Sequence, residues 1–348
     1  MKSHLSLLDG IAETLCNTYR DGIEGDIVLT GASGFLASNI AAVLELVRRR
    51  GLEVTVVCTA RRPMTETPLF EYLDLSISHR WKIQSAEHLT IPAGDRLTVF
   101  HAGSHASPRN FMNEPLATFH ANTTGICQAF EQARKSTRAR VVYFSSAEVY
   151  GQPDNSNIPT TESYTGNLSI MDARSIYGES KRMAEVLGIV LSNQTGVEFQ
   201  ALRPWNVYGP GQRLDDGRIP FDFLQQAIQT KRISLLSNGR PTRAFCYVTD
   251  ALHQIFAVAF SEQTASNAWN IGSDKQEASV LDVALKAAAV VGLSPNAVTF
   301  NPNAANVGLL RCVPDTAAVD ALGSQRAGTI TLDDGMATTH DWISWLLR

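Results

Sequence analysis

A tyrosine and a lysine stand four residues apart in the stretch RSIYGESKR, as Tyr177 and Lys181. On a helix that spacing puts both side chains on one face and within reach of each other. A phenol beside an ammonium has its pKa lowered, and it can then exchange a proton with a substrate hydroxyl. Taken alone, such a pair is more often a half-buried tyrosine next to a solvated lysine. The rest of the chain has to decide. Upstream, the stretch FSSAEVYG closes an apolar strand with Ser145, Ser146 and Glu148. At the carboxyl end of a strand in an open α/β sheet, side chains face the ligand crevice. A hydroxyl there can bond the same substrate oxygen as Tyr177, and Glu148 can act as base toward a carbon acid. A polar strand end that merely satisfies its own turn explains the serines equally well, until the tyrosine and lysine that follow complete a Ser–Tyr–Lys set.

A second constellation belongs to a dinucleotide. TGASGFLAS puts Gly31, Gly34 and Ala37 at a turn between an apolar strand and an apolar helix. Gly31 permits the tight turn, Gly34 lets backbone approach a pyrophosphate, and Ala37 allows close helix–sheet packing. The turn and the helix start, with Ser33, Phe35 and Leu36, offer unpaired N–H groups to the phosphates. An NAD site normally has an acidic residue after the second strand, gripping the ribose diol. Here Cys58, Thr59 and Ala60 stand in that region, followed by Arg61 and Arg62. The two arginines either neutralise a 2′-phosphate and select NADP or are solvated loop charges, and the residues leave both readings open. Glu87, after the next strand-like segment, is a candidate for the adenine side.

Other clusters are weaker. His101 and His105 in HAGSHASPRNF are four apart, but no third ligand or HExxH context supports a metal, so a positional role is expected. Asn206, Arg213 and Arg243 lie in RPWNVYGPGQR and GRPTRAFCYVTD, where loop asparagine and arginine suit a diphosphate. No GxSxG, Walker A loop, zinc spacing or basic–aromatic repeat for nucleic acid occurs.

The elements that must position these residues read as alternating strands and helices. A short apolar strand opens DIVLTGASGFLASNIAAVLELVRRRG, and strands recur at EVTVVCTARR, RLTVFHAGS, RVVYFSSAEVYG, VEFQALRPWNVYG and AWNIGS, with helical stretches such as LATFHANTTGICQAFEQAR between them. That alternation predicts an α/β, doubly wound parallel sheet of Rossmann type, with a smaller C-terminal lobe for substrate. The expected division is a helical extension over 1–25, the dinucleotide domain over 26–205 with a returning segment near 243–272, and the lobe over 206–348. YGPGQRLDDGRIP, rich in Gly, Pro and Asp, reads as a surface loop. The 348 residues exceed what one compact core usually holds. A net charge of -4 gives no overall pull toward nucleic acid or an anionic membrane. Five dispersed cysteines without a CxxC pair read as reduced thiols, and the N-terminus makes a poor signal peptide. A soluble, cytoplasmic protein is expected, with no membrane span.

With the pieces in chain order, the sequence resembles the extended short-chain dehydrogenase/reductase family of nucleotide-sugar epimerases, dehydratases and decarboxylases. The resemblance rests on TGASGFLAS, SSAEVYG, YGESK, RPWNVYGPG and RAFCYVTDA, and covers the chain after about residue 26. It implies Ser146 as the catalytic hydroxyl, Tyr177 as base, and Lys181 as the lysine that also holds the nicotinamide ribose. It also implies that Pro204 borders the cofactor. The implied reaction begins with oxidation at C4 of a nucleotide-linked sugar. The 4-ketone then acidifies C5–H, or makes a 6-carboxylate a β-keto acid that loses CO2. HASPRNFMNEP, with Ala106, Ser107, Pro108 and Pro115, resembles the matching loop of UDP-glucuronate decarboxylases, which places Ser107 at the substrate. Those enzymes also carry counterparts of Glu148 and Arg243. Ala147 cannot protonate a leaving hydroxyl, which counts against one common dehydratase mechanism, while a 4-epimerase stays open. The missing acid after the second strand departs from the NAD-using members. The resemblance implies NAD with NADP as alternative, a nucleotide-sugar substrate and a homodimer. The reading from another class is an idle NAD(P)-binding sensor or scaffold.

Overall fold

The computed structural model describes residues 3–91, 94–214, 216–262, 267–300, 310–323 and 330–348. Seven strands form one sheet: β1 (Gly25–Thr30), β2 (Val54–Ala60), β3 (Arg80–Ile83), β4 (Arg96–His101), β5 (Arg138–Phe144), β6 (Glu198–Pro204) and β7 (Ala268–Ile271). Every pair is parallel, in the spatial order β7-β6-β5-β4-β1-β2-β3. The chain runs outward from β1 to β3, then returns to the other side of β1 as β4. The crevice between β1 and β4 is therefore where an open sheet of this kind takes its ligand. Register brings the strand ends level: Thr30 pairs with both Thr59 of β2 and His101 of β4, and His101 pairs with Tyr143 of β5.

Alternation along β1 divides the core. Ile27 and Leu29 face one layer and Val28 the other, as the two-residue period of a strand requires. The first layer holds α1 (His4–Thr18), α2 (Phe35–Arg49) and α6 (Val248–Phe260). The second holds α3 (Pro115–Ala133) and α4 (Ser175–Thr195), which pack through Ile126, Ala129, Phe130 and Ala184. The helices α5 (Phe221–Thr230), α7 (Val280–Val290) and α8 (Leu332–Leu346) carry apolar faces that continue the first layer's core. A small sheet has Thr242–Ala244 between Glu277–Ser279 and Arg311–Cys312.

Leu8, Ile11, Ala12 and Leu15 bury one face of α1 against this core, so the N-terminal helix lies on the body of its own chain. His4 anchors its start. The ring's Nε2 lies 2.8 Å from the Asn39 side-chain oxygen and its Nδ1 lies 3.1 Å from the Tyr247 hydroxyl. Asn39 in turn donates to the Pro210 carbonyl at 2.9 Å. The segment expected as a surface loop is thus partly interior. Pro210 and Gln212 are buried, and Trp342 donates to the Gln212 carbonyl at 2.9 Å. Its glycines and prolines turn the chain inward over α2 instead of outward to water.

Candidate active site

Two elements bring the proton-transfer candidates together: α4, starting at Ser175, and the turn that follows β5. Tyr177 and Lys181 are 5% and 3% exposed, because their helix face lies on the sheet. The Tyr177 ring stacks on Phe111 with centroids 4.8 Å apart. Lys181 Nζ donates to the Phe144 carbonyl at 2.6 Å and sits 4.7 Å above the Tyr143 ring. Burial, the largest cause, pushes the Tyr177 phenol up to about 12, while a hydrogen bond with Ser146 and the charge of Arg218 pull it back. This corrects the expectation of a phenol lowered by its neighbouring ammonium. Burial likewise lowers the Lys181 ammonium to about 7, with Glu185 opposing it. Both groups have lost water, and neutral forms suit the dry site better.

The two serines after β5 diverge. Ser145 donates into the interior to Glu185, which also holds Arg203 at 2.6 Å. Ser146 faces Tyr177 and caps the turn Ala147–Tyr150 by accepting from the Glu148 N–H at 3.2 Å. That turn puts the Glu148 carboxylate at the rim, 3.4 Å from Arg174, where its charge also reaches Arg243 and Cys312.

The glycine turn has the form of a phosphate cradle. Gly31 has φ +67, and a Cβ there would come within 2.7 Å of the Ala102 carbonyl. Gly34 begins α2 with no side-chain cap, so the first N–H groups around Ser33, Phe35 and Leu36 stay open to an anion. A Cβ on Gly34 would meet only the Gly31 carbonyl and would otherwise project into the cradle. Ala37 is buried behind it. These residues fit a dinucleotide pyrophosphate. Thr59 is buried at the end of β2, Pro204 ends β6, and Glu87 lies on the short turn Ala86–His88. Arg61 and Arg62 are exposed, with Arg61 reaching His105 at 2.6 Å. The two histidines are used separately: His101 is buried against Thr30 at 3.0 Å, and His105 lies at the rim. Among the described residues no three metal-ligating side chains converge.

From the second half, Asn206 has φ +40 and donates to the Ala244 carbonyl at 3.1 Å. It also lies 3.6 Å from the Cys312 sulfur. Arg243 is held by the Thr242 carbonyl at 2.8 Å, and burial lowers its guanidinium. Arg213 is exposed on the loop after Gly209. Ser107 is buried and caps the helix Pro108–Asn113, accepting from Asn110 N–H at 3.4 Å. Phe111, Arg218 and Cys312 were not legible as site residues. Arg218 grips Asp216 at 2.6 Å and lies close enough to Tyr177 for each to shift the other, yet 38% of its side chain reaches solvent. Its position between Gly217 and Pro220, in a segment expected at the surface, hid it.

Residues 27–272 match the model of the NAD dependent epimerase/dehydratase family. The chain belongs to this family. Among relatives of this family member, UDP-glucuronic acid decarboxylase 1 of Xenopus tropicalis is 33% identical over 270 residues, covering 76% of this chain and 60% of the relative. The namesake in Danio rerio is 32% identical, over 80% of this chain and 63% of its own length. The chain thus spans less than two thirds of the length of these two relatives. Among solved structures, UDP-glucuronic acid 4-epimerase from Bacillus cereus, in complex with UDP-glucuronic acid and NAD, superposes with a TM-score of 0.73 at 21% identity. It covers 92% of this chain and 100% of the epimerase. MoeE5 in complex with UDP-glucuronic acid and NAD gives 0.73 at 25% identity, over 92% of this chain and 100% of MoeE5. No described helix of this family member is long and apolar enough to cross a membrane.

Proposed function

We propose that this chain is a cytoplasmic, NAD-dependent nucleotide-sugar enzyme that decarboxylates a UDP-glucuronate-like substrate through transient oxidation at C4. The observation that carries the reading is the meeting of Ser146, Tyr177 and Lys181 beneath a rim that holds Glu148 and Arg243. Bound NAD would supply a hydride acceptor for C4 and return the hydride at the end. Gly31, Gly34 and the start of α2 would hold its pyrophosphate, and Lys181 its nicotinamide ribose. As a phenolate, which the positive charges of bound NAD and of Lys181 would favour over the neutral phenol, Tyr177 would take the 4-hydroxyl proton while Ser146 bonds the same oxygen. The 4-ketone makes the 6-carboxylate a β-keto acid, so CO2 leaves and a proton enters at C5. Glu148 acts beside that carbon, while Arg243, Arg213 and Asn206 bind the anionic part of the substrate.

A homodimer accompanies this reading. The face of α3 and α4 turned away from the sheet exposes Leu116, Phe119, Met183, Val186, Ile189 and Val190. Apolar side chains on two adjacent helices are suited to a second copy of the same pair.

The deciding experiment incubates purified protein, with NAD and NADP separately, against UDP-glucuronate, UDP-glucose, UDP-GlcNAc, GDP-mannose and dTDP-glucose. Products are read by mass spectrometry and NMR. Loss of CO2 from UDP-glucuronate is expected. Loss of water would make the chain a dehydratase, and an isomer of unchanged mass an epimerase. Cofactor binding with every sugar untouched would favour the sensor reading.

A further inference from the structure

The second strand ends without the carboxylate that an NAD ribose calls for, and what stands there instead has a defined geometry. β1 lies between β2 and β4 in the sheet, and Thr30, Thr59 and His101 end level with one another. Strand spacing puts the ends of β2 and β4 about 10 Å apart. Arg61 follows the end of β2, and His105 belongs to the loop after β4. Their 2.6 Å contact therefore bridges the carboxyl end of β1, over the glycine turn that cradles a pyrophosphate. The guanidinium is exposed but tethered. It is held across the mouth of the crevice.

The chemistry of the bridge is unusual for an arginine. A guanidinium can only donate, so His105 Nε2 must present its lone pair and the ring must be neutral. Burial, then the Arg61 charge, lowers the His105 imidazole in keeping with that arrangement. Among the described residues Arg61 makes no ion pair, and neither does Arg62 beside it. Thr59 and Ala60, both buried, bring no carboxylate to the place where a ribose diol would be gripped. Glu114, 3.8 Å from His105, and Glu87 act on the histidine side of the bridge. Two guanidinium groups thus stand without an ion pair, among the described residues, at the end of β2.

We propose that Arg61 is the acceptor site for an adenosine 2′-phosphate, with Arg62 beside it, so that this chain takes NADP as well as the family's NAD. On binding, Arg61 exchanges one neutral nitrogen acceptor on His105 for the oxygens of a dianion. The bond to His105 has one charged partner, whereas a bond to the phosphate has two and offers the guanidinium fork two oxygens at once. An NAD ribose brings no anion to the guanidinium, and no acid accepts its diol from β2. The inference rests on the dinucleotide site of the proposed function but not on the identity of the sugar.

The test is equilibrium binding of NADP, NAD, 2′,5′-ADP and 5′-AMP to the full chain and to Arg61→Ala, by calorimetry without any sugar. NADP is expected to bind at least as tightly as NAD, and 2′,5′-ADP more tightly than 5′-AMP. Arg61→Ala should weaken NADP and 2′,5′-ADP by about 10- to 100-fold. Retained NAD affinity in that variant shows that it is folded. A wild-type preference for NAD of tenfold or more would overturn the inference, and so would an Arg61→Ala variant that weakens both dinucleotides equally or neither. Binding of neither dinucleotide to the wild type would overturn the proposed function itself.

Discussion

Tyr177 and Lys181 owe their proton affinities to burial more than to each other. The phenol is raised to about 12 and the ammonium lowered to about 7, each chiefly by loss of water. Tyr177→Phe keeps the ring on Phe111 and removes only the hydroxyl. The variant is expected to fold, by circular dichroism, and to lose about 10²- to 10⁴-fold in turnover. Near-normal turnover would remove Tyr177 from the proton-transfer role. Lys181 also leaves a mark on stability. Below the folded value of about 7, the lysine is charged in both states and the fold carries the whole cost of the buried ammonium. Between 7 and the ordinary 10.5, the unfolded chain holds a proton that the fold lacks, so stability rises with pH. Lys181→Met should therefore stabilise by on the order of 2 kcal/mol at pH about 6 and by less at about 9, read by urea denaturation. An equal gain at both would mean that the lysine is not the buried cation described.

At the scale of elements, α1 and α4 each depend on one close fit. The start of α1 is fastened by a neutral His4, whose imidazole burial lowers to about 4. The unfolded chain takes up that proton below the ordinary 6.5 and the fold does not, so stability is lost as pH falls from 6.5 toward 4. His101, lowered to about 3 by burial and by Lys181, adds to the same trend. His4→Leu should cost about 1–3 kcal/mol by stranding buried Asn39 and Tyr247, and should flatten the acid slope. An unchanged slope in urea titrations across that range would acquit His4. On α4, a Cβ at Gly188 would fall 2.2 Å from the Phe199 ring of β6. Gly188→Ala should lower stability by about 1–3 kcal/mol in thermal unfolding, although alanine is the better helix former. A neutral result would show that the Phe199 ring can move aside.

The whole molecule is arranged around the level strand ends on one side and a bare apolar helix face on another. Val186 and Ile189 are 55% and 42% exposed on α4, while Ala184 of the same helix packs on the sheet. Aspartates at both positions should turn a dimer into a monomer in light scattering and leave the circular dichroism spectrum unchanged. A wild type that is already monomeric would refute the dimer. Much of this molecule is legible before folding is considered, because local spacing records it. β-branched runs alternating with helical periods determine a parallel sheet, two glycines and an alanine determine the turn after β1, and Tyr177 with Lys181 must share a helix face. What spacing cannot record is which distant segments arrive together. Only the sheet order lays Arg61 across β1 to His105, and only the inward turn of the segment after Gly209 brings Arg218 toward Tyr177. Phe111 under the phenol and Cys312 beside Asn206 likewise come from far along the chain. The reversed sense of the Tyr177 shift has the same origin, since burial is a property of everything packed around a group. Residue types and their periods are carried by the chain itself, whereas desolvation and long-range contacts exist only once it has closed on itself.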